Sequence, residues 1–324
     1  MVTPATGLRI VFFGTPAFAV PTLRDLLRSR HAVVGVVTQP DRARGRGQKV
    51  AYSPVKTLAL EHALPVFQPE TLRDPAVAET LRGWQPDLGV VAAYGKLIPE
   101  GLLTLPRLGM INVHGSLLPR LRGAAPVHRA VIDGERETGV TIMRVEKALD
   151  SGAMFAKQSR PIGPDDTSVS VEQDLAGIGA RLLVDVVNQM ADGTATEEPQ
   201  DDRLATYAAK ITREEGLVDW SLPAAAVHNR VRGLYPWPHA YSYLDGGRLI
   251  LLRTHLVPDT TSEAPGTIIE VTRDTLQIAT GDHQRLAVDE LQAEGRRPMT
   301  TREFLAGRPV RVGARLESGL DTRA

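Results

Sequence analysis

Hydrophobic and polar positions follow two regimes along the chain. In the first, Leu8–Phe13, His31–Thr38 and Asp87–Ala93 are mainly apolar runs of strand length. Such runs mark strands, and the continuous run of Asp87–Ala93 one that is fully buried. Between them, Val20–Ser29 carries Leu23, Leu26 and Leu27 on one side, as a helix does, Ser53-Pro54 opens a helix to about His62, and Asp74–Gly83 reads as another. Strand, helix and strand at this distance predict βαβ units, hence a parallel sheet. Pro65–Gln68 adds a short strand, and Leu108–Ile111 another that should end near His114. Ala125–Asp133 reads as a helix, Glu137–Val145 and Ala153–Ile162 as strands. Thr167–Asp192 is a long amphipathic helix with Leu175, Ile178, Leu182, Val186 and Met190 on its inner stripe.

The second regime starts after a polar, aperiodic stretch, Gly193–Ile211, which reads as a linker. A helix over Pro223–Gly233 is followed by short β-like runs at Ala240–Leu244, Leu249–Leu256, Gly266–Val271, Thr275–Ala279 and Leu286–Leu291, then by a short helix near Thr301–Ala306. Short strands at this spacing suggest a small barrel, best matched by an OB-like one. The expected fold class is therefore α/β: an open, mostly parallel Rossmann-like sheet over 1–192, a linker over 193–212, an OB-like β-barrel domain over 213–316 and a frayed tail over 317–324.

Composition narrows the function classes. The 324 residues are 42% hydrophobic and 23% charged, as in a globular protein. There is no cysteine, which excludes disulfides, thiolate metal sites and a cysteine nucleophile. Net charge is zero, so contact with a polyanion must come from a local patch. The first nine residues show no leader pattern, and no apolar run is long enough to span a bilayer. A cytoplasmic protein is expected.

The candidate chemistry centres on Asn112-Val113-His114-Gly115-Ser116-Leu117-Leu118-Pro119. Side chains two apart on a strand share a face. Asn112 and His114 therefore point together at a strand end, where open α/β sheets bind ligands. Asp150, in the turn-like Ala148–Gly152, could bring a carboxylate to His114. An amide, an imidazole and a carboxylate suit acyl transfer to an amine. Other motifs are weaker. Gly14-Thr15-Pro16-Ala17 lacks the later glycines of a dinucleotide loop. No serine sits in a nucleophile elbow. His114, His128 and Asp150 lack compact metal-ligand spacing, so no metal is expected. Arg42, Arg44, Arg46 and Lys49, on a glycine-loosened loop over Gln39–Lys49, could clamp phosphates or could form an ordinary solvated surface.

Asn112-x-His114 followed by Ser116-Leu117-Leu118-Pro119, with a distant Asp150, resembles the formyltransferases that use 10-formyltetrahydrofolate. The longer match adds Arg122-Gly123-Ala124-Ala125-Pro126 and Glu137-Thr138-Gly139-Val140-Thr141-Ile142-Met143, and is similar to the tRNA-formylating members. The resemblance implies formyl transfer from 10-formyltetrahydrofolate to the α-amine of initiator methionyl-tRNA, for translation initiation. It implies Asn112, His114 and Asp150 as catalytic groups. It assigns Ser116, Leu117, Leu118 and Pro119, with the loop Tyr94, Gly95, Lys96, Leu97 and Ile98, to folate binding; read without it, that loop is an ordinary strand-to-helix connection. It also implies that the loop of Arg42, Arg44, Arg46 and Lys49 inserts at the tRNA acceptor end. A monomer is expected. Two alternatives stay open: formylation of a small amine such as glycinamide ribonucleotide or an amino sugar nucleotide, and a non-catalytic RNA-binding protein on the same scaffold.

Overall fold

The computed structural model describes residues 7–44 and 49–318, with the backbone alone for 42–44 and 49–50. Contacts divide it into two compact units. The first holds the chain up to Pro126, Glu137–Pro161 and Glu172–Ala208; the second holds Val127–Arg136, Ile162–Val171 and the chain from Ala209 on. The division thus cuts the sequence several times.

The strands of the first unit are β1 (Arg9–Gly14), β2 (Ala32–Val37), β3 (Arg42–Arg44), β4 (Lys49–Ala51), β5 (Val66–Phe67), β6 (Leu88–Ala92), β7 (Met110–His114), β8 (Arg122–Gly123), β9 (Glu137–Arg144), β10 (Met154–Pro161) and β11 (Tyr207–Ala208). The helices in chain order are α1 (Val20–Arg28), α2 (Pro54–Glu61), α3 (Pro75–Trp84), α4 (Glu100–Leu103), α5 (Pro126–Ile132) and α6 (Ser168–Asp192). Local chemistry sets several starts. Ser53 Oγ accepts from Lys56 N at 3.1 Å and Asp74 accepts from Ala76 N at 2.9 Å, each just before a proline in the first turn.

The main sheet has the order β10-β9-β7-β6-β1-β2-β5. From β7 to β5 every pairing is parallel; β9 and β10 add an antiparallel edge. The chain moves from β1 outward through β2 to β5, then crosses back to β6 and β7. The switch point therefore lies between β1 and β6, and ligands of open α/β sheets bind beside the carboxyl ends there. Those ends carry Gly14-Thr15, Ala93-Tyr94 and His114. On the opposite side of β7, Val113 packs against α6. A Cβ at Gly179 would stand 2.7 Å from a Val113 methyl, so glycine permits this approach.

The segment carrying Arg42 and Lys49 differs from the expected loop. Its described arms, β3 and β4, pair antiparallel as a ribbon. The glycines that read as loosening fall between the arms. The polar stretch after α6 also differs from a spacer: Glu198 bridges Met154, and β11 pairs parallel with β8. A segment without periodicity can still be fixed by backbone pairing, which leaves no side-chain pattern.

The second unit contributes α7 (Ala224–Gly233), β12 (Ala240–Leu244), β13 (Gly247–Thr260), β14 (Ile268–Val271), β15 (Leu276–Ala279), β16 (Gln284–Ala293), β17 (Met299–Thr300), α8 (Thr301–Gly307) and β18 (Leu316–Glu317). Its antiparallel sheet runs β14-β15-β16-β13-β12-β18. The two ends meet: Ile268 N donates to Ala314 O and Leu316 N to Gly266 O, both at 2.8 Å. Such curling around Val227, Leu251, Ile278, Leu286 and Phe304 is the OB-like barrel expected from the strand spacing. Glu317, expected to fray, pairs with Tyr243; 319–324 lie outside the described residues.

Candidate active site

Asn112 and His114 lie on β7, on the face turned away from α6. His114 is buried and Asn112 half-buried. Among the described residues no protein group holds the Asn112 carboxamide, so both its N–H groups are available to a ligand.

His114 is held at both ring nitrogens. Nε2 lies 3.0 Å from the carbonyl of Leu121. A carbonyl only accepts, so Nε2 carries a proton. Nδ1 then faces Asp150, whose Oδ2 is 3.7 Å away. That separation is an ion-pair distance once Nδ1 is protonated, too long for a hydrogen bond. The expected carboxylate does turn toward the imidazole, and its Oδ2 also accepts from Gly123 N at 2.9 Å. Leu121 and Asp150 have φ values of +59° and +50°. Each costs a non-glycine residue of order 1–2 kcal/mol. The two residues that give His114 its partners are thus both held in an unfavourable backbone conformation. The Leu121 carbonyl and the Gly123 N–H escaped sequence reasoning, because backbone groups have no residue signature. Gly123 was the available clue: a Cβ there would meet Ala208 O at 2.7 Å.

The Ser116–Pro119 turn is largely committed to the fold. Ser116 is fully buried, and its Oγ donates to Arg120 O at 2.6 Å. Thr141 Oγ1 donates to Ser116 O at 2.7 Å and accepts from Leu118 N at 3.1 Å. Leu117 packs over Gly139, and Leu118 is buried against Met143 and Met154. Pro119 is half-buried.

In the loop after β6, the Tyr94 ring belongs to the core and meets Phe13 edge-on at 5.5 Å. Burial pushes its hydroxyl pKa up to about 12, so it stays protonated. Tyr94 O accepts from Gln39 Nε2 at 2.7 Å. Lys96 Nζ donates to Pro69 O and Glu70 O at 3.1 and 2.7 Å, and Ile98 packs on the core. Leu97 is 81% exposed. Among the described residues, the N–H groups of Gly95, Lys96, Leu97 and Ile98 donate to no protein acceptor. The side chains of Tyr94, Lys96 and Ile98 are already occupied.

The root of the β3–β4 ribbon is well tied. Asp41 pairs with Lys56, which holds its carboxyl below the usual carboxylate range, and accepts from Gln68 Nε2 at 3.0 Å. Arg46 lies outside the described residues, as do the side chains of Arg42, Arg44 and Lys49. His128, on α5, has its pKa lowered by burial and by Arg129. Among the described residues no cluster of His, Asp or Glu could hold a metal ion, and no helix is long and apolar enough to cross a membrane.

Comparison with known proteins bears on the chain as a whole. The family profile described as formyl transferase matches residues 8–187, and that of the formyl transferase C-terminal domain matches 210–309. The chain is 47% identical to the methionyl-tRNA formyltransferase of Citrifermentans bemidjiense, over 96% of this chain and 97% of that one. It is 48% identical to the protein of the same name from Methylococcus capsulatus, over 92% and 96%. Among solved structures, an N-formyltransferase from Helicobacter canadensis, in complex with folinic acid and dTDP-3-aminofucose, superposes with a TM-score of 0.67 at 15% identity, over 88% of this chain and 99% of that one. At that identity the likeness is one of fold. With a family profile spanning the β7 motif and relatives aligned almost end to end, the chain belongs to the formyl transferase family and, within it, to the methionyl-tRNA formyltransferases.

Proposed function

We propose that the chain transfers the formyl group of 10-formyltetrahydrofolate to the α-amino group of initiator methionyl-tRNA, giving N-formylmethionyl-tRNA for translation initiation in the cytoplasm. The observation that carries this reading is the 47% identity over 97% of a protein bearing that activity in its name. Small-amine formylation is supported only at the level of fold, by neighbours below 20% identity. A retired, non-catalytic scaffold is disfavoured because Asn112, His114 and Asp150 are all present and converge.

The neutral amine attacks the formyl carbon, a carbon–nitrogen bond forms, and the carbonyl electrons move onto oxygen. Asn112 donates an N–H to that oxyanion. His114 keeps its Nε2 proton on Leu121 O, so proton traffic belongs to Nδ1 and the facing Asp150, directly or through a water held between them. This pair takes the proton leaving the attacking amine. It returns a proton to the departing folate nitrogen as the old carbon–nitrogen bond breaks, so protons balance over the cycle. The open N–H row from Gly95 to Ile98 and the Ser116–Pro119 turn would bind the folate. The segment of Arg42, Arg44, Arg46 and Lys49 would contact tRNA phosphates. The protein acts as a monomer.

The test is transfer of labelled formyl from 10-formyltetrahydrofolate to methionyl-tRNA, with glycinamide ribonucleotide and an amino sugar nucleotide as competing acceptors. Transfer to methionyl-tRNA at least a hundredfold above the small amines, roughly 3 kcal/mol of discrimination, is expected. Preference for a small amine would overturn the reading.

A further inference from the structure

We propose that Gln200 is a positioning residue for the His114–Asp150 pair, acting through the backbone of the Asp150 turn and through Arg122; this rests on the function proposed above. The amide of Gln200 is saturated. Its Oε1 accepts from Arg122 Nε at 3.0 Å and Nη2 at 2.8 Å. Its Nε2 donates to Asp150 O at 2.9 Å and to Gly152 O at 2.8 Å. Two acceptor sites and two donors are all used, so the amide has one possible orientation. Reversing it would point N–H groups at a guanidinium and an oxygen at two carbonyls.

Arg122 is itself buried, at 4% exposure, and its other partner is Asp202 at 2.7 Å. The next residue, Gly123, donates its N–H to Asp150 Oδ2. One amide therefore ties together the strand that holds the Asp150 carboxylate and the turn that carries its backbone. The rest of the 200–208 segment grips the other partner of His114. Thr206 Oγ1 accepts from Leu121 N at 2.9 Å, Thr206 O accepts from Arg122 N at 2.8 Å, and Ala208 O accepts from Ala124 N at 2.9 Å. The two left-handed residues that partner His114, Leu121 and Asp150, are thus fixed by this segment, and Gln200 is its link to the carboxylate.

The effect on the reaction follows from geometry. Asp150 faces Nδ1 at 3.7 Å without a direct hydrogen bond, so nothing in that contact itself sets the distance. Displacement of a reacting group by about 1 Å can cost on the order of 100-fold in rate. Gln200→Leu removes all four bonds. Gln200→Glu keeps the acceptor for Arg122 but sets a carboxylate oxygen against the carbonyls of Asp150 and Gly152.

The experiment measures single-turnover formyl transfer, KM for each substrate, thermal unfolding, and the 15N resonances of the His114 ring. For both variants the expected result is a fall in the transfer rate of about 10–100-fold. KM should stay within about threefold, a small change in substrate binding, and unfolding should stay cooperative. The Nδ1 resonance of His114 should shift, because the carboxylate facing it moves, while the Nε2 resonance should change little, because the Leu121 carbonyl stays in place. A residue that only stabilised the fold would lower the melting temperature and leave the folded enzyme's rate and the His114 resonances unchanged. That result, or a Gln200→Glu enzyme as fast as the unaltered chain, overturns the proposal. If Gln200→Leu does not fold, Gln200→Glu carries the same comparison. Absence of transfer to methionyl-tRNA by the unaltered chain would instead strike the proposed function, and the His114 resonances would still report on Gln200.

Discussion

Residues 110–119 and 198–208 both serve the His114–Asp150 pair, by opposite means. The first stretch supplies side chains: Asn112 and His114 on one face of a central strand. The second supplies grip: an amide, a hydroxyl and strand pairing that fix the backbone of Leu121, Gly123 and Asp150. The difference teaches that a catalytic group can announce itself by residue type, whereas the segment that aims it can look like filler. A polar stretch without periodicity is weak grounds for assigning a passive linker when it lies close to a site built on backbone contacts.

The comparison can be pressed first on the side-chain half. Asn112→Ala removes the donor proposed for the oxyanion and should slow transfer by about 100- to 1000-fold, on the order of 3 kcal/mol of barrier, with KM for both substrates little changed. Steady-state kinetics with saturating folate donor checks this. On the holding half, Gly152→Ala would bring a Cβ to 2.1 Å from Arg144 O and force the Asp150 turn to shift. A loss of about tenfold or more in rate is expected, beside a lowered melting temperature. Should this variant transfer at the normal rate, the position of the turn would matter less than the side chains it carries.

The mostly parallel sheet, the helices and the OB-like barrel were legible because apolar residues recur at the periods of strands and helices; the strand order was not, because periodicity does not say which strands are neighbours. His114 and Asn112 were legible because polar side chains two apart at a strand end have few structural uses. Tyr94 was less so: the resemblance placed it in a ligand loop, and its ring proved to be core. The ribbon of β3 and β4 was obscured by arginine and glycine, which read equally well as a loop. Gln200 was hidden because its four bonds go to three residues 48 to 78 positions away, to two backbone carbonyls and one buried guanidinium.

A smaller effect concerns charge. Arg46→Ala should raise KM for methionyl-tRNA by a few-fold, more at low salt than at high salt, and leave KM for the folate unchanged. An unchanged tRNA KM at low salt would return the ribbon to an ordinary surface. The smallest effect concerns acid. Glu197 is held below the usual carboxylate range by its hydrogen bonds to Arg144, and Glu215 by those to Arg129. Their stabilisation is complete above the unfolded value of about 4.3 and is lost as pH falls through the lower folded values. The urea midpoint should therefore drop between about pH 5 and pH 3. Replacing Glu197 with Gln should flatten part of that drop, as should replacing Glu215.

The central claim is that proton transfer runs through the imidazole facing Asp150. Its most direct test is the single-turnover rate of the His114→Ala enzyme with both substrates bound. The account predicts a rate lowered by about 1000-fold or more, with substrate affinities retained. A rate within about tenfold of the unaltered enzyme, less than general acid–base catalysis supplies, would contradict it.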